Sequence, residues 1–381
     1  MTWDESQHPR VPKGSGDPSG EFAHATGGLD ILHMSDEDAR NLIPTKVRKP
    51  TKEEIARFFD AMTNKNDIYT EKGYNAVLAQ MKAELGFQMG QKYSGINWYS
   101  DDVREMMRLS LSRFPSLGRA DNRMAFLTVA AIMSRGADPG AQINDALMAY
   151  AGLEKSGFKS FQENRDNGKQ WGLGKEKSVL MFNYMIEQMG LKGSVKYLLS
   201  EHTVADLRTM KGSSGAYSGS GSNLLSGKES SIAVGFSALG PKIGNFVRNM
   251  NGASDVTTKD RWATRTVNRL SGRMMGPAGL RDSPDGQRHG DVMDRLFRET
   301  GSAYGLQQQQ AQAGLWFYEQ SLWQKLGYRR NEGSLAAGAR RYLGRTGGAS
   351  GSGSRPVRVS ISPRRNLPKA RRGVSIPPKG R

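Results

Sequence analysis

The chain has 381 residues and a formal net charge of +18, from 55 lysines and arginines against 37 aspartates and glutamates. That length is enough for one large domain or two of ordinary size. Because cysteine is absent, disulfides, thiolate nucleophiles, cysteine-bound zinc and iron–sulfur clusters are excluded. The five histidines are scattered and form no metal-binding motif, so the sequence predicts neither a metal site nor any other cofactor.

The positive charge is most concentrated at the C-terminal end. Residues 347–381 hold nine bases and no acid, whereas residues 1–50 hold eight acids and six bases. Taking these +9 and −2 from +18 leaves +11 for residues 51–346. A basic body beside a basic tail favours a polyanionic partner, and we expect double-stranded DNA; the alternative is that the charge serves solubility alone. The tail residues expected to contact DNA are Arg364, Arg365, Arg371 and Arg372.

No segment has the character of a membrane span or a secretion signal. The longest apolar run, Met124–Met133, is half the length of a span. The N-terminus carries Asp4 and Glu5 where a signal peptide would begin its apolar segment. We therefore expect no membrane partner and a location in the cytoplasm.

Taken in chain order, the sequence begins with a segment that has no periodicity. Residues 1–50 mix Gly, Pro, Ser and His and are predicted to form a disordered N-terminal tail. Helical signals start at Thr51, an N-cap with Glu54 three residues later as a capping box. One apolar face follows, made of Ile55, Phe58, Phe59 and Met62.

Residues 51–211 are predicted to form a first helical lobe. Asn122–Ser134 is apolar nearly all round and indicates a helix at the centre of the core. Asn97–Tyr99, before another capped helix, either shapes a pocket or simply belongs to the core. Strand-like alternation is almost absent, so we predict an all-α body. The other helices expected in this lobe are Asp101–Leu111, Ala141–Tyr150, Lys177–Met189 and Val195–Leu199.

The second half divides by composition. Residues 212–231 are rich in Gly and Ser and are predicted to be a linker or loop. Residues 232–344 form the predicted second lobe, with a C-terminal helix. Within it, Gln307–Leu326 is a helix that either binds a partner or packs inside the protein. Residues 345–381 are predicted to be a disordered basic tail.

The most informative stretch is Ser231–Leu270. Ile232–Phe236 is predicted to end one helix, and Gly240 with Pro241 to start the next, where proline is tolerated at the first helical position. That helix buries Ile243, Phe246, Val247 and Met250 and stops at Gly252. A further helix starts near Lys259, with an inner face of Trp262, Ala263, Thr266, Val267 and Leu270. The free backbone N–H groups of a helix start, with Lys242 beside them, indicate a phosphate-binding clamp.

This block resembles the helix-hairpin-helix segment of base-excision DNA glycosylases. FSALGPKIG stands for the hairpin and TKDRWATR for the second half. The resemblance places Lys242 on the family's Schiff-base lysine and Asp260, 18 positions later, on its catalytic aspartate. It implies a multi-helical, two-lobed glycosylase-like body that flips a base out of the duplex. The DNA contacts expected in this block are Gly240, Lys242, Arg248, Lys259, Arg261 and Arg265.

Each candidate catalytic residue also has a structural alternative. Lys242 can be a helix-end lysine that contacts only phosphate, and Asp260 a first-turn residue favoured by the helix dipole. The segment also departs from the family pattern. Ala238 stands at the first glycine of the hairpin, and Trp262, in the second half, stands in place of the usual histidine.

The remaining body resembles an uncharacterised bacteriophage protein family, which has itself been likened to these glycosylases. The resemblance rests on NWY, MAFLTVAAIMSRGADP, GPKIGNF, KDRWATR and AQAGLWFYEQSLW. The opening WDESQHPRVPKGSGDPSGEFA resembles the tails that begin many bacteriophage head-associated and accessory proteins. It implies an alternative to the enzyme: a non-enzymatic, virion-associated or ejected structural protein that binds DNA. Other virion proteins would then be partners, and the protein would lie in the host cytoplasm or be packaged in the virion.

Overall fold

The computed structural model describes residues 27–43, 49–135, 137–160, 173–214, 228–253, 255–328 and 333–347. These residues are 70% helix and 4% strand, in 14 α-helices. The prediction of an all-α body is therefore confirmed. In the part of the chain so described, no helix is both long and apolar enough to cross a membrane.

The helices of the first half follow one another closely. They are α1 (Gly27–His33), α2 (Asp36–Asn41), α3 (Lys52–Met62), α4 (Glu71–Met89), α5 (Val103–Arg113), α6 (Ala120–Met133), α7 (Pro139–Lys155), α8 (Leu173–Leu199) and α9 (Val204–Ser213). A π-helical turn, Trp98–Asp102, precedes α5, and a 3-10 turn, Pro115–Gly118, follows it. The helix α8 contains a kink at Gly190 (φ 68°), between the two helical segments predicted there.

The second half contains five α-helices and most of the strand residues. The helices are α10 (Ile243–Met250), α11 (Arg261–Leu270), α12 (Gly286–Ser302), α13 (Gln308–Lys325) and α14 (Leu335–Gly347). Strand β1 (Glu201–Thr203) pairs antiparallel with β2 (Ile232–Val234), so that Glu201 lies opposite Val234. A second hairpin joins β3 (Met275–Gly276) to β4 (Gly279–Leu280).

The prediction that Ile232–Phe236 ends a helix is wrong. Ile232–Val234 is strand β2, and a 3-10 helix, Gly235–Leu239, follows it. Ile232 and Val234 are β-branched and favour extended backbone. Gly235 then passes so close to the end of α8 that a Cβ atom would clash with the carbonyl oxygen of Tyr197. Glycine is therefore the residue that fits at the start of the 3-10 helix.

The N-terminal tail predicted for residues 1–50 is too long. Helices α1 and α2 occupy part of it, and Ser35 caps α2 by accepting a hydrogen bond from the Asp38 amide. Ile31, Ala39 and Ile43 are buried, so this segment contributes an apolar face to the body. Residues 1–26, 44–48 and 348–381 of the predicted tails, and residues 215–227 of the predicted linker, lie outside the described residues.

The local signals of the first half are largely confirmed. Thr51 and Glu54 form the reciprocal capping box of α3. On the same helix Ile55 and Phe59 are buried, but Met62 is 60% exposed, so the predicted apolar face is one turn shorter. Helix α6 is buried from residue 124 to residue 133, as its all-apolar sequence predicts.

Three apolar cores hold the helices together, and they do not follow the predicted boundary at residues 212–231. The first core joins helices α5 to α10 with the C-terminal helix α14. The second joins α4 with α11, α12 and α13, and the third joins α1, α2 and α3 with α11 and α13. Each of the three cores therefore contains residues from both predicted lobes. The division into lobes 51–211 and 232–344 is corrected to an interleaved arrangement.

A buried cluster of charges joins α4, α11 and α13. The Arg269 guanidinium donates to both carboxylate oxygens of Glu84, at 2.8 and 2.7 Å, and to Glu319 at 2.9 Å. Trp323 Nε1 donates to the other Glu319 oxygen at 2.8 Å. All three charged side chains are at most 4% exposed. One arginine thus pairs with two carboxylates, neither of which could be buried without a positive partner.

Candidate active site

A cavity of about 440 Å³ lies where the first core meets the third. This volume is within the range of roughly 300–1,000 Å³ typical of small-ligand pockets. The elements around it are the π-helical turn, the end of α6 and the starts of α7, α10 and α11, together with α13 and α14. Its charged lining residues are Asp138, Lys242, Asp260, Arg261 and Arg341, and its aromatic ones are Trp98, Tyr99, Phe246, Trp262 and Trp316.

Helix α10 carries the first candidate residue. Gly240 has φ 90° and ends the preceding 3-10 helix, and α10 begins at Ile243, with Lys242 at its N-cap position. The helix therefore starts later than the sequence predicts at Pro241. The predicted buried face is confirmed, with exposures of 5%, 6%, 0% and 5% for Ile243, Phe246, Val247 and Met250.

The end of α10 is also as predicted. Gly252 has φ 94°, and the Gly252 and Ala253 amides donate to the carbonyl oxygens of Asn249 and Arg248. This is a Schellman motif, in which glycine tolerates the left-handed conformation. The turn fixes the path by which the chain leaves α10 for the second candidate residue.

The Lys242 side chain is half-buried at the cavity. Its Nζ donates to the carbonyl oxygen of Ser134, the C-cap residue that follows α6, at 3.1 Å. Burial lowers the pKa of Lys242, and the attraction of Asp260 partly opposes that shift. A lowered pKa increases the fraction of neutral amine, the form that can act as a nucleophile.

Asp260 is the N-cap of α11, one position before the first turn to which the structural alternative assigned it. Its Oδ1 accepts a hydrogen bond from the Ala263 amide at 2.9 Å. Burial raises the pKa of the Asp260 carboxyl, whereas the Ala263 hydrogen bond and the Lys242 charge lower it. Asp260 and Lys242 thus line one cavity, and each shifts the pKa of the other.

The loop that carries Asp260 is held by the glutamine-rich start of α13. Gln312 accepts from the Thr258 amide at 2.8 Å and donates to the Thr258 carbonyl at 2.7 Å. One turn earlier, Gln308 donates to Thr257 Oγ1 at 2.7 Å. Of the two alternatives for this helix, internal packing accounts for these glutamines. The sequence signal that was missed is their spacing of four, which places both amides on one inward face.

Aromatic rings form much of the cavity wall. Trp98 and Phe246 are stacked with an interplanar angle of 8° and a centroid distance of 6.2 Å. Trp316 lies 5.7 Å from Trp98, and Tyr99 meets Phe246 nearly edge-on. Trp98 and Tyr99 belong to the core and also shape the pocket, because their rings are less than 10% exposed and still line the cavity. Such walls suit the stacking of a flat ligand.

Arg265 does not have the position predicted for a DNA contact. Its side chain is 0% exposed and pairs with Asp282 at 2.7 Å. The guanidinium also lies 4.8 Å from the Trp262 ring centroid and 4.1 Å from that of Trp323. The prediction is corrected: Arg265 stabilises the interior by an ion pair and by cation–π contacts.

The other predicted DNA contacts differ in accessibility. The Lys259 side chain is 9% exposed and pairs with Asp294 at 2.6 Å, so it too is turned inward. Arg248 is 26% exposed beside Asp255, and Arg261 is 45% exposed beside Asp282. Gly240 is half-buried, and the four tail arginines lie outside the described residues. Arg261 and Lys242 are therefore the predicted contacts that the structure brings together at the cavity.

No group of three His, Asp or Glu side chains that could hold a metal ion occurs among the residues that the structure describes. Comparison of the chain with protein-family models, with curated proteins and with solved structures gave no match.

Proposed function

We propose that the protein binds DNA and excises a base that is flipped into the cavity, with Asp260 and Lys242 as the catalytic residues. The observation that carries this proposal is the pair itself. A carboxylate and an amine of opposite pKa shift line one aromatic-walled cavity, each at the start of a helix. Perturbed ionisable groups in a cleft are a physical indication of a catalytic site.

The chemistry assigns a separate task to each residue. The Asp260 carboxylate, when ionised, stabilises the positive charge that develops on the sugar, or accepts a proton from an attacking water. Neutral Lys242 Nζ instead attacks C1′, and the glycosidic bond breaks as the base leaves with the bonding electrons. The two amine protons end on the base and on O4′ as the sugar ring opens. The product is a Schiff base between Nζ and C1′.

The cavity is suited to the base itself. An extruded base is read by stacking between aromatic side chains and by hydrogen bonds to its polar edge. Trp98, Phe246 and Trp316 supply flat surfaces, and Gln142 adds an amide to the lining. The net charge of +18 favours approach of the duplex.

Borohydride trapping on duplexes that carry different modified bases tests the proposal. Asp260→Asn should abolish base release but leave DNA affinity intact or improved, because it removes a negative charge near phosphate. Lys242→Gln should abolish trapping. The exposed Lys65→Gln is the matched control and should trap as the unmodified protein does. Trapping that survives Lys242→Gln, or base release that survives Asp260→Asn, would refute this assignment of roles.

A structural DNA-binding protein of a virion is the second candidate, favoured by one contact. The Lys242–Ser134 hydrogen bond ties the start of α10 to the end of α6, which is a purely structural use of the lysine. Under this candidate, Lys242→Gln lowers stability and no duplex is trapped. DNA binding should weaken steeply between about 50 and 200 mM salt under either candidate. Deleting residues 347–381 should reduce that dependence without unfolding the body.

A further inference from the structure

Helices α5 and α14 lie side by side although they are far apart in sequence. Asp102, just before α5, accepts hydrogen bonds from Ser334 Oγ at 2.8 Å and the Ala336 amide at 3.3 Å at the start of α14. Farther along, Arg340 contacts Glu105 at 2.9 Å. The start of α14 thus meets the start of α5, and both helices run from there in broadly the same direction.

The charged side chains of this helix pair are almost all basic. Within these two helices Glu105 is the one acid, and it pairs with Arg108 at 2.7 Å and with Arg340. These two arginines hold the pKa of Glu105 at about 2, so the carboxylate stays ionised and is already paired. Arg104 and Arg108 lie one turn apart on α5, as do Arg341 and Arg345 on α14. The basic ridge is defined by these four exposed arginines together with Arg340.

The basic ridge is continuous with the candidate active site. Arg341 belongs to the ridge and also lines the cavity that contains Lys242 and Asp260. At its other end, α14 leads into residues 347–381, which hold nine bases and no acid. Positive charge therefore extends from the cavity along the surface of α5 and α14, and the sequence that follows α14 is basic as well.

We propose that the basic ridge binds the phosphate backbone of the duplex whose base enters the cavity, an inference that rests on the proposed function. Arginine matches phosphate because its planar guanidinium donates two parallel hydrogen bonds. Each one-turn pair of arginines spans about 6 Å along its helix at 1.5 Å per residue. That span corresponds to about two phosphate steps of one strand at 3.4 Å along the duplex axis.

The salt dependence of duplex binding tests whether the basic ridge binds the phosphate backbone. The full chain would bind a short fluorescent duplex without a modified base, with affinity measured by anisotropy at several salt concentrations. The triple variant R104Q/R341Q/R345Q keeps both partners of Glu105. If each arginine contacts one phosphate, the slope of log affinity against log salt should become shallower by about 0.9 per contact, or roughly 2–3 in all.

A matched control removes the same charge from the second core's side of the protein. Lys65, Lys72 and Arg298 are exposed, and K65Q/K72Q/R298Q should leave the slope close to that of the unmodified chain. Thermal melts of both variants establish that they fold. If the ridge variant melts lower, its three substitutions are measured singly, each expected to reduce the slope by about 0.9.

Several outcomes would refute the proposal that the basic ridge binds the duplex. If the ridge variant had the same salt slope as the unmodified chain, the proposal would be refuted, while trapping at Lys242 would still support the proposed function. Binding of the unmodified chain to poly-glutamate, or to vesicles of phosphatidylserine and phosphatidylcholine, as tightly as to the duplex would show that the partner class is wrong. A reduced slope without base release on any duplex would support the ridge and contradict the excision proposal alone.

Discussion

Replacing Asp260 by asparagine should leave the protein as stable as before, or more stable, at pH 7. Asparagine keeps the side-chain oxygen that accepts from the Ala263 amide, now at 2.9 Å, and it caps helices about as well as aspartate. Asp260→Ala loses this bond and should therefore be less stable than Asp260→Asn by roughly 0.5–2 kcal/mol. The comparison separates the cap, which both polar residues provide, from the charge, which only aspartate carries.

The sign of the charge effect follows from the raised pKa. In the folded state the pKa of Asp260 lies above its ordinary value of 3.8, mainly because of burial. Its stabilising contribution is therefore greatest when the carboxyl is protonated, and is lost as the pH rises through the folded-state pKa. The advantage of Asp260→Asn should be absent in acid, appear as the pH rises above about 3.8, and persist at neutral pH.

Urea unfolding followed by circular dichroism, at pH values from acid to neutral, measures both effects. The expected result is a stability difference between asparagine and aspartate that grows with pH, beside a constant deficit of alanine relative to asparagine. If Asp260→Asn were the less stable protein at pH 7, the carboxylate would be stabilised by its surroundings. Asp260 would then not be the destabilised charge, held for use in chemistry, that the proposed function requires.

Three further predictions concern the surroundings of this residue. Phe246→Ala should cost roughly 3–5 kcal/mol, because the ring is 6% exposed and packs among the cavity's aromatic residues; an unchanged urea midpoint would contradict its burial. Arg269→Met leaves two buried glutamates without their cation and should lower stability by roughly 3–5 kcal/mol, which calorimetry would detect as a lower Tm. Lys242 should acylate at lower pH in the Asp260→Asn variant, because the attraction that raises its pKa is gone; mass spectrometry of the modified peptide at several pH values would show the same profile in both proteins if the two groups did not interact.

The features that the sequence predicts correctly are those fixed by neighbouring residues. The buried face of α10, its end at Gly252 and the capping box at Thr51 each depend on residues within one or two turns. The features that it misses depend on distant partners. Arg265 is a predicted DNA contact from its place in the motif, yet Asp282, 17 positions later, pairs with it and the aromatic rings around it exclude water.

The candidate site divides in the same way. Spacing and helix starts lead to Lys242 and Asp260, but no local pattern indicates that they share a cavity with Arg341. The use of Gln312 to hold the loop before Asp260 is equally hidden, because it acts across 54 positions. Which residues meet at the site is decided by the packing of three cores, and that packing is not encoded in any short segment.

The interleaved cores have a consequence for the order of events during synthesis. Glu84 and its partner Arg269 are separated by 185 positions, so α4 leaves the ribosome long before the helices that cover it. At roughly 5–20 residues per second, the apolar face of α4 waits about 10–40 s for α11. The helices of the first core become available earlier, apart from α14, which is made last. We therefore expect the nascent chain to hold a partly built first core beside an unprotected N-terminal segment, and to complete the cavity only after its final helix has emerged.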